Sequence, residues 1–149
     1  MPDDLDRWKT FDDPRFELTL RYPDPTPEGR AAQVIEHAQD DGMAVHILSA
    51  ERELYAEVAR FPPIGAEEEY RRHRVKLEER FGADAVTPLR GSTLGWRPAH
   101  EYVFRWAEGE RTAVLASTDE WTYRVIYNSA SPLNARVLGT VEWRGGART

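Results

Sequence analysis

Residues 101–128 read EYVFRWAEGERTAVLASTDEWTYRVIYN, and apolar and polar side chains alternate along most of this stretch. Two sets of alternating side chains stand out: Tyr102, Phe104 and Trp106 near its start, and Trp121, Tyr123, Val125 and Tyr127 near its end. A third strand, 111–117, lies between turns at 107–110 and 118–120. A period of two predicts an antiparallel sheet with one buried face.

The rest of the chain carries further strand and helix patterns around this sheet. The predicted elements, in order, are a strand at 15–22, a helix at 26–42, a hairpin at 44–49 and 54–61, a helix at 66–81, a loop at 83–98 with a short strand near 86–89, the three strands of 101–128, a helix at 131–139 and an edge strand at 140–143. The order predicts a single domain of the α/β (α+β) class, with a mainly antiparallel sheet flanked by helices.

The composition excludes several classes of function. A net charge of −6 argues against a surface for nucleic acid or for an anionic membrane. The absence of cysteine excludes disulfides and thiol chemistry. The first ten residues are acidic and have no apolar signal segment, and no run approaches the roughly 18 apolar residues of a membrane span. We therefore expect a cytoplasmic protein.

The four histidines do not form a pattern typical of metal binding. They are His37, His46, His73 and His100, and no two of them are three or four residues apart. Glu69 and His73 have the four-residue spacing of a helical metal pair, but no second pair accompanies them. We interpret this pair as a surface ion pair on a helix whose Glu67–Arg71, Glu68–Arg72 and Arg74–Glu78 spacings indicate a solvated face.

No motif for catalysis or cofactor binding is evident. Gly91 and Gly95 flank a Ser-Thr-Leu segment, but its central residue is Thr93 and no helix pattern follows, so it does not match a nucleophile elbow. It also lacks the Lys of a phosphate loop. Paired carboxylates such as Asp12–Asp13 and Asp40–Asp41 fall at turns and helix ends, where caps explain them. We predict no catalytic residue, no metal and no cofactor.

Two of the five tryptophans lie outside regular elements. Aromatic side chains in alternating strands are best explained as core, whereas Trp8 and Trp96 lie in irregular segments. With the neighbouring Arg97 and His100, they form the predicted surface for a ligand or partner.

The strand FELTLRYP at 16–23 and the ending LGTVEW at 138–143, after a short helix, resemble the PsbP/Mog1-like superfamily, which includes bacterial DcrB/LpqN-like proteins. Relatives open with a Phe-x-x-x-x-Pro-like strand and close with a short helix leading into a Ser-Phe-x-Phe-like strand. The resemblance implies an α/β/α sandwich around an antiparallel sheet. Members are mostly accessory or binding proteins, and no shared catalytic residue carries over.

These observations favour a non-catalytic binding or assembly domain that recognises a protein partner. The alternative is a small-ligand-binding protein or enzyme with a pocket between sheet and helix, of the helix-grip kind. A deep cavity lined by polar groups and reached past Trp96 would favour the alternative, and a filled core would exclude it. A homodimer formed through the edge strand at 140–143 is a third hypothesis.

Overall fold

The computed structural model describes residues 8–23, 31–39, 42–48, 54–107, 109–129 and 132–144. The elements within these ranges are β1 (Lys9–Phe11), β2 (Leu18–Tyr22), β3 (Gln33–Gln39), β4 (Gly42–Leu48), β5 (Leu54–Phe61), α1 (Ala66–Phe81), β6 (Arg90–Leu94), β7 (Arg97–Trp106), β8 (Gly109–Ser117), β9 (Thr122–Asn128), α2 (Pro132–Leu138) and β10 (Glu142–Trp143). The predicted hairpin, the helix at 66–81 and the three strands of 101–128 are confirmed as β4–β5, α1 and β7–β9.

Seven strands form one antiparallel sheet in the order β3-β4-β5-β9-β8-β7-β6. Strands β3 to β5 form one meander and strands β6 to β9 form another, because consecutive strands in each pair as neighbours. The two meanders meet where β5 pairs with β9, from Glu57 opposite Ile126 to Phe61 opposite Thr122. The fold is therefore of the α+β class with a mainly antiparallel sheet, as predicted.

Helix α1 packs on one face of the sheet, over β7 and β8. Its apolar stripe, formed by Tyr70, Leu77 and Phe81, contacts a cluster that includes Tyr102, Phe104 and Trp106. Gly65 and Gly82, with φ of 92° and 105°, flank the helix in backbone conformations that side-chain-bearing residues rarely adopt, so both ends of α1 are defined.

The opposite face of the sheet carries α2 and a small sheet of order β1-β2-β10. Phe16, Leu18 and Leu20 pack there against Tyr123 and Val125. The prediction of a single buried face along 101–128 is therefore wrong, because Tyr123 and Val125 lie on the face opposite Tyr102. β8 and β9 are central strands with both faces covered, so their alternation separates two cores and does not separate core from solvent.

The predicted helix at 26–42 is wrong over its described part. Residues 33–39 form β3, which pairs with β4 along its whole length, from Gln33 opposite Leu48 to Gln39 opposite Gly42. Val34 and Ile35, which suggested a helical stripe, remain 48% and 38% exposed on this edge strand. A helix here would bury little apolar surface, so the pairing of these residues with β4 stabilises the strand more than the helical spacing stabilises a helix. Residues 24–30, 40 and 41 lie outside the described part of the chain.

The predicted loop at 83–98 also requires correction. It contains β6 and the start of β7, which pair from Arg90 opposite Glu101 to Leu94 opposite Arg97. The suggested short strand near 86–89 is reduced to an isolated bridge between Val86 and Phe104. Few side chains of β6 are buried, which explains its weak sequence pattern. Among the described residues, no helix has the length and apolar character needed to cross a membrane.

The start of β4 predicts a sensitive position. A Cβ at Gly42 would overlap the carbonyl oxygen of Arg60 on β5. We expect Gly42→Ala to lower the free energy of unfolding by about 1–3 kcal/mol, as overpacking does in other proteins. The matched control is Gly91→Ala, because a Cβ at that strand position meets open space. Equal urea midpoints for the two variants would contradict this assignment.

Candidate functional site

A cleft of about 840 Å³ lies between α1 and the sheet. Helix α1 packs over β7 and β8, and the cleft extends from there toward the β3 edge. The side chains on its sheet side come from six strands: His37, His46, Glu57, Phe61, Phe104, Trp106, Arg111, Arg124 and Ile126. The helix contributes Glu69, Arg72, His73, Lys76 and Arg80, among others.

The strand register explains why polar side chains meet in this cleft. His46 on β4 lies opposite Glu57 on β5, and Glu57 lies opposite Ile126 on β9. Arg124 precedes Ile126 by two residues, so both side chains point to the same face. Arg111 on β8 follows the same alternation, because Ala113 lies opposite Ile126. A row of polar groups therefore crosses the sheet beneath the helix.

Arg124 is the centre of this row. Its guanidinium donates to Glu69 on α1 at 2.8 Å and to Glu57 on β5 at 3.5 Å. The guanidinium also lies over the ring of Phe61, 4.9 Å from the centroid. The residue is only 6% exposed, and its Nε atom is buried without a hydrogen-bond partner among the described residues. Arg124 thus joins helix and sheet through charge-assisted hydrogen bonds.

Glu57 also accepts a hydrogen bond from His46, with 2.5 Å between Oε2 and Nε2. Burial acts to raise the pKa of Glu57, but the hydrogen bond from His46 and the charge of Arg124 together outweigh burial and hold that pKa below its usual value. Glu57 therefore stays an ionised acceptor. The ring of His46 stacks on that of His37 from β3, with 5.1 Å between centroids.

The pKa of Glu69 is shifted in the opposite direction from that of Glu57. Burial raises the pKa of Glu69, although the charges of Arg124, Arg72 and Lys76 act in the opposite direction. The predicted surface ion pair between Glu69 and His73 is wrong, because Glu69 is 4% exposed and points to Arg124. The predicted Arg74–Glu78 and Glu68–Arg72 pairs are confirmed at 2.9 and 3.5 Å, whereas Arg71 pairs with Glu68.

His73 is a structural histidine in the wall of the cleft. Its Nδ1 lies 2.5 Å from the hydroxyl of Tyr102, and its ring packs edge-on against Tyr102 and Phe104. Burial, with the nearby charges of Arg124 and Lys76, places the pKa of His73 well below its usual value. Burial likewise raises the pKa of Tyr102. The neutral imidazole therefore accepts a hydrogen bond from the Tyr102 hydroxyl, which keeps its proton.

Arg111 occupies the β8 side of the cleft. It forms no ion pair with any residue that the structure describes, and its guanidinium lies 4.8 Å from the Trp106 ring. Arg80 approaches the same indole at 4.7 Å. Burial lowers the pKa of Arg111, and the charge of Glu57, which acts in the opposite direction, does not outweigh burial.

The lining carries the opposite sign from the protein. Six Arg or Lys side chains and three Glu side chains line the cleft, whereas the whole chain has a net charge of −6. Apolar and aromatic side chains complete the lining, among them Phe104, Trp106 and Ile126. Such a cavity combines apolar walls with a local excess of positive charge.

The predicted surface residues do not line this cleft. Trp96 is 59% exposed in the turn between β6 and β7. Arg97 lies 4.7 Å from the ring of Trp143 and donates to the Ser117 carbonyl, while His100 is exposed on β7. Trp8 packs against the other core beneath the guanidinium of Arg136. Their role as a binding surface stays a prediction.

Sequence reasoning missed His46, Glu57, Arg111 and Arg124 as cleft residues. Their strands were recognised, but polar residues in alternating strands were assigned to the solvent side. The available signal was that Glu57 and Arg124 lie in the middle of long strands. When other elements pack on both faces of such a strand, its polar side chains are also buried. In the described part of the chain, no group of three His, Asp or Glu side chains is placed to hold a metal ion.

A search against models of known protein families finds no match, and a search of curated proteins finds no significant similarity.

The burial of His73 predicts a pH-dependent stability. Unfolding exposes the imidazole, whose pKa then returns to about 6.5, so the unfolded chain binds a proton that the folded protein does not. The free energy of unfolding is therefore highest above about pH 6.5 and decreases as the pH falls below about 6.5. Lowering the pH from about 7.5 to about 5.5 should decrease the free energy of unfolding by about 1 kcal/mol through His73 alone.

The test compares urea unfolding of two variants at both pH values. His73→Gln keeps an acceptor for Tyr102 but cannot titrate, so it should lose about 1 kcal/mol less than the native protein over that range. Tyr102→Phe removes the hydrogen bond and leaves the imidazole buried, so it should retain the native pH dependence. Identical pH dependence in His73→Gln and the native protein would refute the assignment.

Proposed function

We propose that the protein binds a small organic anion in the cleft between α1 and the sheet. The observation that carries this proposal is Arg111, a half-buried guanidinium that lines the cleft and has no carboxylate partner among the described residues. A desolvated cation is costly unless an opposite charge compensates it. A carboxylate, sulfonate or phosphate on the ligand would supply that charge.

The walls around Arg111 suit an aromatic or otherwise flat apolar group on the ligand. The guanidinium groups of Arg80 and Arg111 lie 4.7 and 4.8 Å from the centre of the Trp106 ring, and Phe104 and Ile126 also line the cleft. A ligand that combines an apolar body with one acidic group matches both features. This supports the small-ligand alternative raised from the sequence, although the cleft is not reached past Trp96.

Recognition of a protein partner stays a prediction, as do the cytoplasmic localisation and a homodimer formed through 140–143. One observation favours the partner hypothesis. Val34 and Ile35 are exposed next to each other on β3, an edge strand of the large sheet. An edge strand with exposed apolar side chains is a common site of strand addition by a second chain.

We also propose an α/β/α sandwich of the PsbP/Mog1-like type as the architecture. Its support is the placement of α1 on one face of the antiparallel sheet and of α2 on the other. The ending, in which the short helix Pro132–Leu138 precedes the strand Glu142–Trp143, agrees with the same resemblance.

The test uses anilinonaphthalene sulfonate, an aromatic anion that fluoresces in apolar sites. We expect the native protein to enhance its emission saturably. Arg111→Gln should weaken binding by about tenfold, because a charge-assisted hydrogen bond to a desolvated anion contributes about 1.5–3 kcal/mol.

The matched control is Arg97→Gln, which removes another partly buried guanidinium that lies over a tryptophan ring, but outside the cleft. This variant should bind the dye within about twofold of the native protein. Absence of saturable binding, or equal affinity in Arg111→Gln and the native protein, would overturn the proposal. A loss specific to Arg97→Gln would move the site to the predicted surface around Trp96.

A further inference from the structure

The two nitrogens of the His46 imidazole differ in their contacts with the described residues. Its Nε2 pairs with Glu57 at 2.5 Å. Its Nδ1 forms no hydrogen bond with any residue that the structure describes, and it is not among the buried unpaired atoms. The side chain is 29% exposed and lines the cleft. A nitrogen with these properties can reach a molecule bound in the cleft.

The proton on His46 is placed by its partner. Glu57 remains ionised, as derived above, and an ionised carboxylate can only accept hydrogen bonds. The Nε2 atom must therefore carry the proton that it donates to Glu57. The neutral tautomer then has its lone pair on Nδ1, at the open side of the ring.

The support behind His46 extends through three further side chains. Glu57 is contacted by Arg124, and Arg124 is bound by Glu69 on α1. The carboxylate that orients the imidazole is thus itself fixed by a buried ion pair. His73 provides the contrast, because Tyr102 occupies its Nδ1 and its ring packs against Tyr102 and Phe104. Among the described histidines that line the cleft, His46 alone combines an orienting carboxylate with a free second nitrogen.

We propose that His46 is the general base of a hydrolytic site in this cleft, acting on small carboxylic esters. The arrangement of a base held by a carboxylate is the one that activates water or hydroxyl nucleophiles in many hydrolases. Glu57 acts as a positioning residue, because it contacts the imidazole and not the ester.

The reaction balances without a cofactor. Nδ1 removes a proton from a water molecule while the water oxygen bonds to the ester carbonyl carbon. Glu57 stabilises the resulting imidazolium through the Nε2 proton. The tetrahedral intermediate then breaks its bond to the alkoxy oxygen, and the departing alcohol takes the proton from Nδ1. The products are a carboxylic acid and an alcohol, and the neutral imidazole is restored.

This inference shares its cleft with the proposed anion binding but does not need the anion. A neutral ester probe therefore separates the two. If the dye test fails and the neutral ester is hydrolysed, the anion proposal fails alone. If the dye binds through Arg111 and the ester is not hydrolysed, only the present inference fails.

The probe is para-nitrophenyl acetate, followed by release of nitrophenolate. We expect native protein to hydrolyse it at least about a hundredfold faster than buffer, the usual contribution of a positioned general base. His46→Gln should reduce the enzymatic rate to the buffer rate. A glutamine amide can still donate to Glu57, so the buried carboxylate keeps a donor and a thermal melt should show a folded variant.

The matched control is His100→Gln, which removes an exposed imidazole on β7 that does not line this cleft. It should retain the native rate, which would exclude general surface reactivity. Glu57→Gln should lower kcat by about tenfold or more with KM within about twofold, because it weakens the base without altering the space for the ester.

Two outcomes would overturn the proposal. One is a native rate no higher than that of buffer. The other is equal hydrolysis by His46→Gln and by native protein, which would assign any activity to other groups.

Discussion

Arg124 carries a charge into the interior of the protein, and the position of α1 on the sheet depends on how that charge is compensated. The guanidinium lies between Glu57 of the sheet and Glu69 of the helix. Removing one partner of a buried ion pair costs about 3 to 5 kcal/mol in other proteins, because the remaining charge is left without compensation. Helix and sheet are therefore joined by a polar contact as well as by the apolar packing of Leu77.

The cleft lies beside this contact, because Arg124, Glu57 and Glu69 all line it. The apolar stripe of α1 packs over β7 and β8, while its polar side faces the floor formed by β5 and β9. Arg111 and His46 line the cleft, and among the described residues Arg111 has no ion-pair partner and the Nδ1 atom of His46 has no hydrogen-bond partner. The proposed anion binding and the proposed ester hydrolysis therefore draw on different residues of one cavity.

The sequence predicted those elements whose pattern is decided locally. Alternation identified the strands of 101–128, and glycines on either side of 66–81 marked the ends of α1. It failed at β3, where apolar residues fit a helical spacing but the long pairing with β4 decides the structure. It failed again at Glu57 and Arg124, because a strand pattern does not reveal that a helix from elsewhere in the chain covers the polar face.

The junction of β5 with β9 has a consequence for how the chain folds. Each meander consists of neighbouring hairpins, which close short loops and can form early. The strands that join the meanders are separated by α1 and three other strands, and β2 meets β10 only when nearly the whole chain has been brought together. Closure of such long loops carries an entropic cost before any contact repays it, which slows folding. The cleft spans this junction, so it forms only once the two meanders have joined.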